Sequence, residues 1–235
     1  MDMESPGKLD PGTRIYAIGD VHGCDRQLAA LHAQVVADLR ARPVPRPILI
    51  HLGDYVDRGP DSAGVVARLA AGPPMPGLRT INLMGNHEHT MLAAIAGDRA
   101  AGTDWLHTGG RESLISWGAD PDGPRARWRD AIPYGHLDLL HGLALSHSEG
   151  GYLFVHAGIR PGVPLMRQTA QDMLCIRQPF LSDDRPFGFV VVHGHTPQSN
   201  PEVRPNRIGI DTGAVYGRAL TCVVLEEQRL RFMQA

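Results

Sequence analysis

Five short polar clusters carry the residue types that chemistry requires. They are Gly19-Asp20-Val21-His22-Gly23, Gly53-Asp54-Tyr55-Val56-Asp57-Arg58-Gly59, Gly85-Asn86-His87-Glu88, His156-Ala157-Gly158 and His193-Gly194-His195-Thr196. Asp20 and His22 stand two apart on a loop, so both side chains can turn toward one ion. Asp54 has two carboxylate oxygens and can bridge two ions. Asn86 adds an amide oxygen and His156 an imidazole nitrogen. His193 and His195 compete for one further position. Alternation along a strand puts both on the same side, so periodicity does not separate them. Oxygen and nitrogen ligands without thiolate suit manganese, iron, zinc, nickel or cobalt. A carboxylate shared between two half-sites is the arrangement of a two-metal centre. Such centres hold ions about 3.5–4 Å apart and clamp the attacking and leaving oxygens of a displacement at phosphorus. A single cluster could be a turn beside a buried polar residue. Five in order, each behind an apolar run, are not explained by turn chemistry.

The elements that must position these clusters are short. Aliphatic, largely β-branched runs at 15–18, 48–52, 80–84, 152–155 and 189–192 precede the five clusters and read as buried strands. Leu28, Leu31, Val35 and Leu39 recur at helical spacing behind the first cluster. His32 lies off that stripe and is expected at the surface, whereas His51 sits inside a strand run and is expected as a hydrogen-bonded core group. Asp61 is an N-cap for a helix reaching Ala71. Further helix is expected from Met91 to Ala96 and from Trp105 to Trp117, with the three Trp in the core. A hairpin is expected over 144–155, and strands over 208–210, 220–225 and 229–233. Strand–loop–helix units thus lead into a strand-rich second half. That is an α/β chain with a mixed sheet or two packed sheets, and its site lies at strand C-terminal ends.

Composition bounds the answer loosely. The chain has 235 residues, 43% hydrophobic and 20% charged, enough for one substantial core. Residues 1–235 read as one domain, with 1–12 a flexible N-terminal tail. A net charge of −2 gives no reason to expect nucleic acid or a membrane surface as partner. Arg outnumbers Lys 22 to one, with Lys8 alone, and the bias runs along the whole chain. The three Cys (Cys24, Cys175, Cys222) form no CxxC pair, so a reducing, cytoplasmic setting is expected. No apolar leader or membrane-length run is visible in the sequence. There are 12 His. The number alone favours surface positions, and their placement has to decide.

Together the first three clusters resemble the signature motifs of the PPP phosphoprotein phosphatases, within the calcineurin-like metallophosphoesterase superfamily. His156-Ala157-Gly158 and Gly194-His195-Thr196 resemble the later metal-ligand motifs of the bacterial and phage members, and residues 211–217 resemble the bacterial branch. The resemblance runs from about residue 15 to about 224. It implies a β-sandwich of mixed sheets flanked by helices. It implies a first metal held by Asp20, His22 and Asp54, and a second held by Asp54, Asn86, His156 and His195. Manganese is the first expectation, with iron, zinc, nickel or cobalt also compatible. His87 would be the general acid, held by Asp57. Arg58 would bind phosphate oxygens, with Arg177 as the second phosphate-binding residue. A hydroxide bridging the ions would attack phosphorus directly, without a covalent phosphoenzyme. The resemblance implies a serine/threonine-type protein phosphatase acting on a phosphoprotein or phosphopeptide, with phosphotyrosine also open. The alternatives are a hydrolase of dinucleoside polyphosphates or other small phosphates, and a phospho-binding pseudophosphatase.

Overall fold

The apolar runs become two sheets that share a core. The computed structural model describes residues 2–235. Eleven strands form: β1 (Met3–Glu4), β2 (Thr13–Ile18), β3 (Arg46–His51), β4 (Arg79–Asn82), β5 (Ser146–Glu149), β6 (Tyr152–Val155), β7 (Val190–His193), β8 (Glu202–Val203), β9 (Arg207–Gly209), β10 (Thr221–Glu226) and β11 (Arg229–Gln234). Seven α-helices form: α1 (Asp25–Ala41), α2 (Ser62–Ala70), α3 (Asn86–Ile95), α4 (Arg99–Trp105), α5 (Arg111–Ser116), α6 (Tyr134–His141) and α7 (Ala170–Cys175). A five-residue π turn, Leu106–Gly110, joins α4 to α5.

The first sheet has the order β1-β11-β10-β2-β3-β4, and the second β5-β6-β7-β9-β8. β2, β3 and β4 run parallel, as do β6, β7 and β9; antiparallel strands close both edges of the second sheet and one edge of the first, whose other edge is the parallel β4. Both sheets are therefore mixed. Parallel neighbours need crossovers, and α1 and α2 supply them in the first sheet. The inner faces meet through Ile15, Ala17, Ile48, Ile50, Phe154, Val192 and Ile208, all buried. The opposite face of the first sheet packs Tyr16, Ile18 and Leu49 against Leu28, Leu31, Val35 and Leu39 of α1. Period-2 alternation sends successive β2 residues to the two cores, so the strand is apolar on both sides. The outer face of the second sheet is covered by Met173, Ile176 and Phe180.

The expected α/β sandwich of mixed sheets is the observed fold. Asp61 caps α2 by accepting from the Gly64 amide at 2.8 Å. Three departures have local causes. Residues 2–12 do not form a loose tail: Met3 and Glu4 pair with β11, Leu9 is buried, and Ser5 Oγ meets the Tyr152 hydroxyl at 2.5 Å. α3 begins at Asn86 rather than Met91, because Glu88 folds back to accept from the Gly85 amide at 2.9 Å. His32 is buried rather than exposed, because its ring finds a partner in His51 at 2.9 Å. The helices α6 and α7, α4 before Trp105, and the strands β1 and β8 have no counterpart in the sequence pattern, and the helix expected over 105–117 is interrupted by the π turn.

Candidate active site

Each candidate side chain leaves the end of a strand. Asp20 and His22 follow β2; Asp54, Asp57 and Arg58 follow β3; Asn86 and His87 open α3 behind β4. His156 follows β6 and His195 follows β7. Parallel pairing carries these ends to one edge of the sandwich.

The loops there turn sharply. Among the described residues six non-glycines have positive φ, and five of them are His22 (45°), Asp54 (51°), Asp57 (75°), Arg58 (67°) and His195 (64°). Such backbone costs about 1–3 kcal/mol per residue and persists only where surroundings over-determine it. Glu88 supplies part of that determination. Its buried carboxylate accepts from the amides of Asp54 (2.8 Å), Tyr55 (2.7 Å), Val56 (3.1 Å) and Gly85 (2.9 Å), tying the second cluster to the third. Burial raises its pKa, Asp54 adds to the rise, and the N–H bonds favour the anion. At Gly59 a Cβ would run into the His22 carbonyl, and at Gly194 into the Asp20 carboxylate. Those two glycines let strand ends approach each other at the site.

Hydrogen-bond accounting identifies what the cluster lacks. His22 Nδ1 donates to the Val56 carbonyl at 2.8 Å, leaving Nε2 as a lone pair. That Nε2 lies 3.5 Å from Asp54 Oδ2 and accepts from Arg58 Nη1 at 2.9 Å. His156 Nδ1 donates to the Leu52 carbonyl at 2.9 Å, so its Nε2 is also a lone pair. It faces Asn86 Oδ1 at 3.0 Å and Asp54 Oδ2 at 3.4 Å, two further acceptors. His195 Nδ1 is 2.9 Å from the same Asn86 oxygen, and its buried Nε2 has no partner. Apart from the Arg58 guanidinium on His22, acceptor atoms of His156, Asn86 and Asp54 converge at a place that takes up a proton or a cation. An oxygen and nitrogen donor set of this kind, gathered without thiolate, fits cations. One atom able to bind a cation from each of His22, Asp54 and His87 lies within 4.8 Å of the others, as does one from each of Asp54, His156 and His195.

The electrostatics agree with that fit. Burial raises Asp20 well above the usual carboxylate range, and nearby Asp211 and Asp54 add to it. Burial also opposes ionisation of Asp54, but His156 and His87 outweigh it and hold the group low. Burial lowers His156, yet Asp54 and Asp20 outweigh it and raise the imidazole to about 10. A proton is drawn to the place where a cation would neutralise the same carboxylates. His87 has a different neighbourhood. Its Nδ1 donates to Asp57 Oδ2 at 2.7 Å, and its Nε2 stands 4.0 Å from Asp54 Oδ2. Burial lowers its pKa, but Asp54 and Asp57 together raise it.

The structure brings Asp20, His22, Asp54, Asp57, Arg58, Asn86, His87, His156 and His195 together. The Asp20 carboxylate accepts from the His195 amide at 3.0 Å. Arg177 is left on the exposed rim beyond α7, where its charge is felt at His195. His193 and His195 do not share a side. β7 ends at His193, and the left-handed turn at His195 breaks the alternation. His193 points to the outer face, edge-on to Phe180 at 5.1 Å, with Nδ1 on the Gly194 carbonyl. His89 is exposed, and Cys24 packs its sulfur 3.6 Å from the His22 carbonyl, its thiol pKa raised by burial. Residue type alone gives no role to Glu88 or Asp211. A Glu three residues past the N-cap Gly85 was the available signal for Glu88.

Residues 13–225 match the family model described as calcineurin-like phosphoesterase. A symmetrical bis(5'-nucleosyl)-tetraphosphatase of Bordetella pertussis is 33% identical over 147 residues, covering 62% of this chain and 43% of the relative. One from Paracidovorax citrulli is 36% identical over 151 residues, covering 63% and 45%. The matched region is thus less than half the length of these curated relatives. Among solved structures, one described as a candidate diadenosine tetraphosphatase aligns with TM-score 0.68 and 23% identity over 97% of this chain and 98% of its own. A cold-active protein-tyrosine phosphatase of a psychrophilic Shewanella aligns with TM-score 0.59 and 16% identity, over 97% and 83%. At these identities the structural likeness concerns the fold.

Proposed function

The chain belongs to the calcineurin-like phosphoesterases, and from that premise we propose that it hydrolyses the phosphoanhydride chain of dinucleoside polyphosphates. The observation that carries the substrate class is the name shared by relatives at 33–36% identity, symmetrical bis(5'-nucleosyl)-tetraphosphatase. The chemistry is supported by the converging lone pairs. In this reading Asp20, His22 and Asp54 hold one divalent cation, and Asp54, Asn86, His156 and His195 hold a second. When bound, such ions supply Lewis-acid polarisation of water and of the phosphoryl group at neutral pH. Manganese is our first choice of ion.

The protein groups do the rest. Arg58, fixed beside His22, hydrogen-bonds phosphoryl oxygens as a planar fork and offsets their charge. Arg177 reaches in from the rim as a second cation. His87 presents Nε2 toward the site while Asp57 occupies Nδ1, so the Nε2 proton passes to the departing oxygen. The Asp57 partner stabilises the imidazolium before that transfer.

One observation favours a second reading, phosphoprotein hydrolysis. A buried His–Asp dyad is most useful when the leaving oxygen is a poor one, as in a seryl alkoxide. A phosphate leaving from an anhydride needs that proton less. A substrate comparison with added Mn²⁺ decides. Diadenosine tetraphosphate should be turned over with ADP as the product. Phosphoserine, phosphothreonine and phosphotyrosine peptides should be slower. Peptide turnover without dinucleotide turnover overturns the main reading, and a folded sample inert on all of them with every divalent ion overturns the enzyme itself.

A further inference from the structure

Asp57 and Arg58 are adjacent residues with φ of 75° and 67°, a conformation non-glycine residues hold only under external restraint. Most of the restraint comes from one segment outside all five clusters, residues 105–113, with Ser62 of α2 beside it. Trp105 Nε1 donates to Asp57 Oδ1 at 2.8 Å, and Ser113 Oγ donates to the same oxygen at 2.6 Å. The Asp57 amide in turn lies 2.8 Å from Ser113 Oγ and 3.0 Å from Ser62 Oγ. The Arg58 amide donates to the Gly109 carbonyl at 3.1 Å. Trp105, Ser113 and Asp57 are all completely buried.

The π turn makes these contacts compatible. Trp105 closes α4 and Ser113 lies in the first turn of α5. The wide turn between them carries Gly109 at φ 117°, a value open to glycine, and this turns its carbonyl onto Arg58. π segments inside α-helices recur at functional sites. At Gly110 a Cβ would meet the Trp105 ring at 2.6 Å, so the indole is seated against the turn itself.

We infer that Trp105 and Ser113 are positioning residues for proton transfer: they fix the rotation of the Asp57 carboxylate so that Oδ2 holds His87 Nδ1 and keeps Nε2 aimed at the leaving oxygen. Asp57 Oδ1 is fully engaged by the segment, which leaves Oδ2 for His87. The inference rests on the reading of His87 as the acid. In the step concerned, the new P–O bond forms to water oxygen, the P–O bond to the leaving group breaks with its electron pair, and His87 Nε2–H supplies that oxygen's proton.

The test compares leaving groups in the metal-loaded protein. Phenyl phosphate needs the proton, and p-nitrophenyl phosphate needs it little. Ser113→Ala removes one donor with almost no change in volume, and Trp105→Phe removes the other. Each variant should lower kcat for phenyl phosphate about tenfold more than kcat for p-nitrophenyl phosphate, a fraction of the roughly 10²–10⁴-fold an acid contributes. KM should stay near wild type for both substrates, and Ser113→Thr, which keeps the hydroxyl, should restore the ratio. A general structural defect would lower both substrates alike. Equal losses in Ser113→Ala, at an unchanged melting temperature and metal content, would overturn the inference. His87→Asn is the control for the underlying reading: if it too fails to discriminate, the acid assignment is at fault rather than the positioning.

Discussion

Two buried histidine clusters lie close together along β3 and keep opposite hydrogen-bond accounts. In one, His32 Nε2 donates to His51 Nε2 at 2.9 Å and His51 Nδ1 donates to Asn82 Oδ1 at 2.8 Å. Donor meets acceptor at each link of that chain. In the other, beyond the strand end, the Nε2 lone pairs of His22 and His156 face Asp54 and Asn86 oxygens, and His195 Nε2 has no partner. Residue type and burial are alike in both. A satisfied chain does structural work, whereas converging lone pairs leave a charge deficit for a cation to fill. Donor–acceptor accounting marks candidate ligand histidines where burial cannot, and position completes it: His193 Nε2 is also unpartnered, but its ring packs on Phe180 rather than facing Asp54 and Asn86.

Substitutions can break that comparison. Asp54→Asn should have the largest effect, because both proposed half-sites share this carboxylate. Metal content by elemental analysis and turnover should fall together, the latter by more than the roughly 10–100-fold that outer partners of a metal site cost. Retention of two ions would break the assignment. His87→Asn should keep its metal and lose about 10²–10⁴-fold in turnover of a poor leaving group. Between the two histidines of the fifth cluster, His195→Ala should lower metal affinity measured by calorimetry. His193→Ala should leave affinity unchanged and lower the melting temperature.

His51→Leu, on the satisfied side, should leave metal binding alone. It strands the partners of a buried hydrogen-bond chain, and a denaturation curve should show a loss of about 1–3 kcal/mol. The pH dependence should appear only on acidification. Burial lowers His32 to about 4 and, with help from His32, His51 to about 3. In the unfolded chain both bind protons near their ordinary pKa, about 6.5. As pH falls below that value the unfolded state binds more protons, so the stability due to the neutral pair is full above about 6.5 and is lost toward pH 3–4. The melting temperature should therefore fall over that window. A variant with both histidines replaced should show a flatter profile, and an unchanged slope would remove the pair from the account.

Much of the site was legible because strand ends are punctuated in one dimension. An apolar run followed by Gly-Asp or His-Ala-Gly marks where a side chain leaves the sheet, and the catalytic-type residues stand inside those clusters. The order of five runs also made the α/β sandwich readable. The failures share one cause, a partner distant in sequence. His32 is off the apolar stripe of α1, yet it is buried because His51 accepts its proton 19 residues later. His193 and His195 looked equivalent until the positive φ at His195 broke the alternation. α3 begins five residues early because Glu88 satisfies amides on two loops at once. Segment 105–113 shows a weak point for a helix at Gly109-Gly110, but nothing in it signals a clasp on Asp57 and Arg58.

The sequence by itself determined which chemical groups are present, that they sit behind strands, and that oxygen and nitrogen ligands without thiolate call for a divalent cation. Those properties are local: side-chain chemistry and the periodicity of neighbours. Packing alone settled which acceptor atoms converge, which of two neighbouring histidines reaches Asn86, and what holds two left-handed residues in place. Those depend on atoms up to 109 residues apart meeting within hydrogen-bond distance. Such meetings arise from the packing of two sheets, for which one-dimensional spacing carries no code.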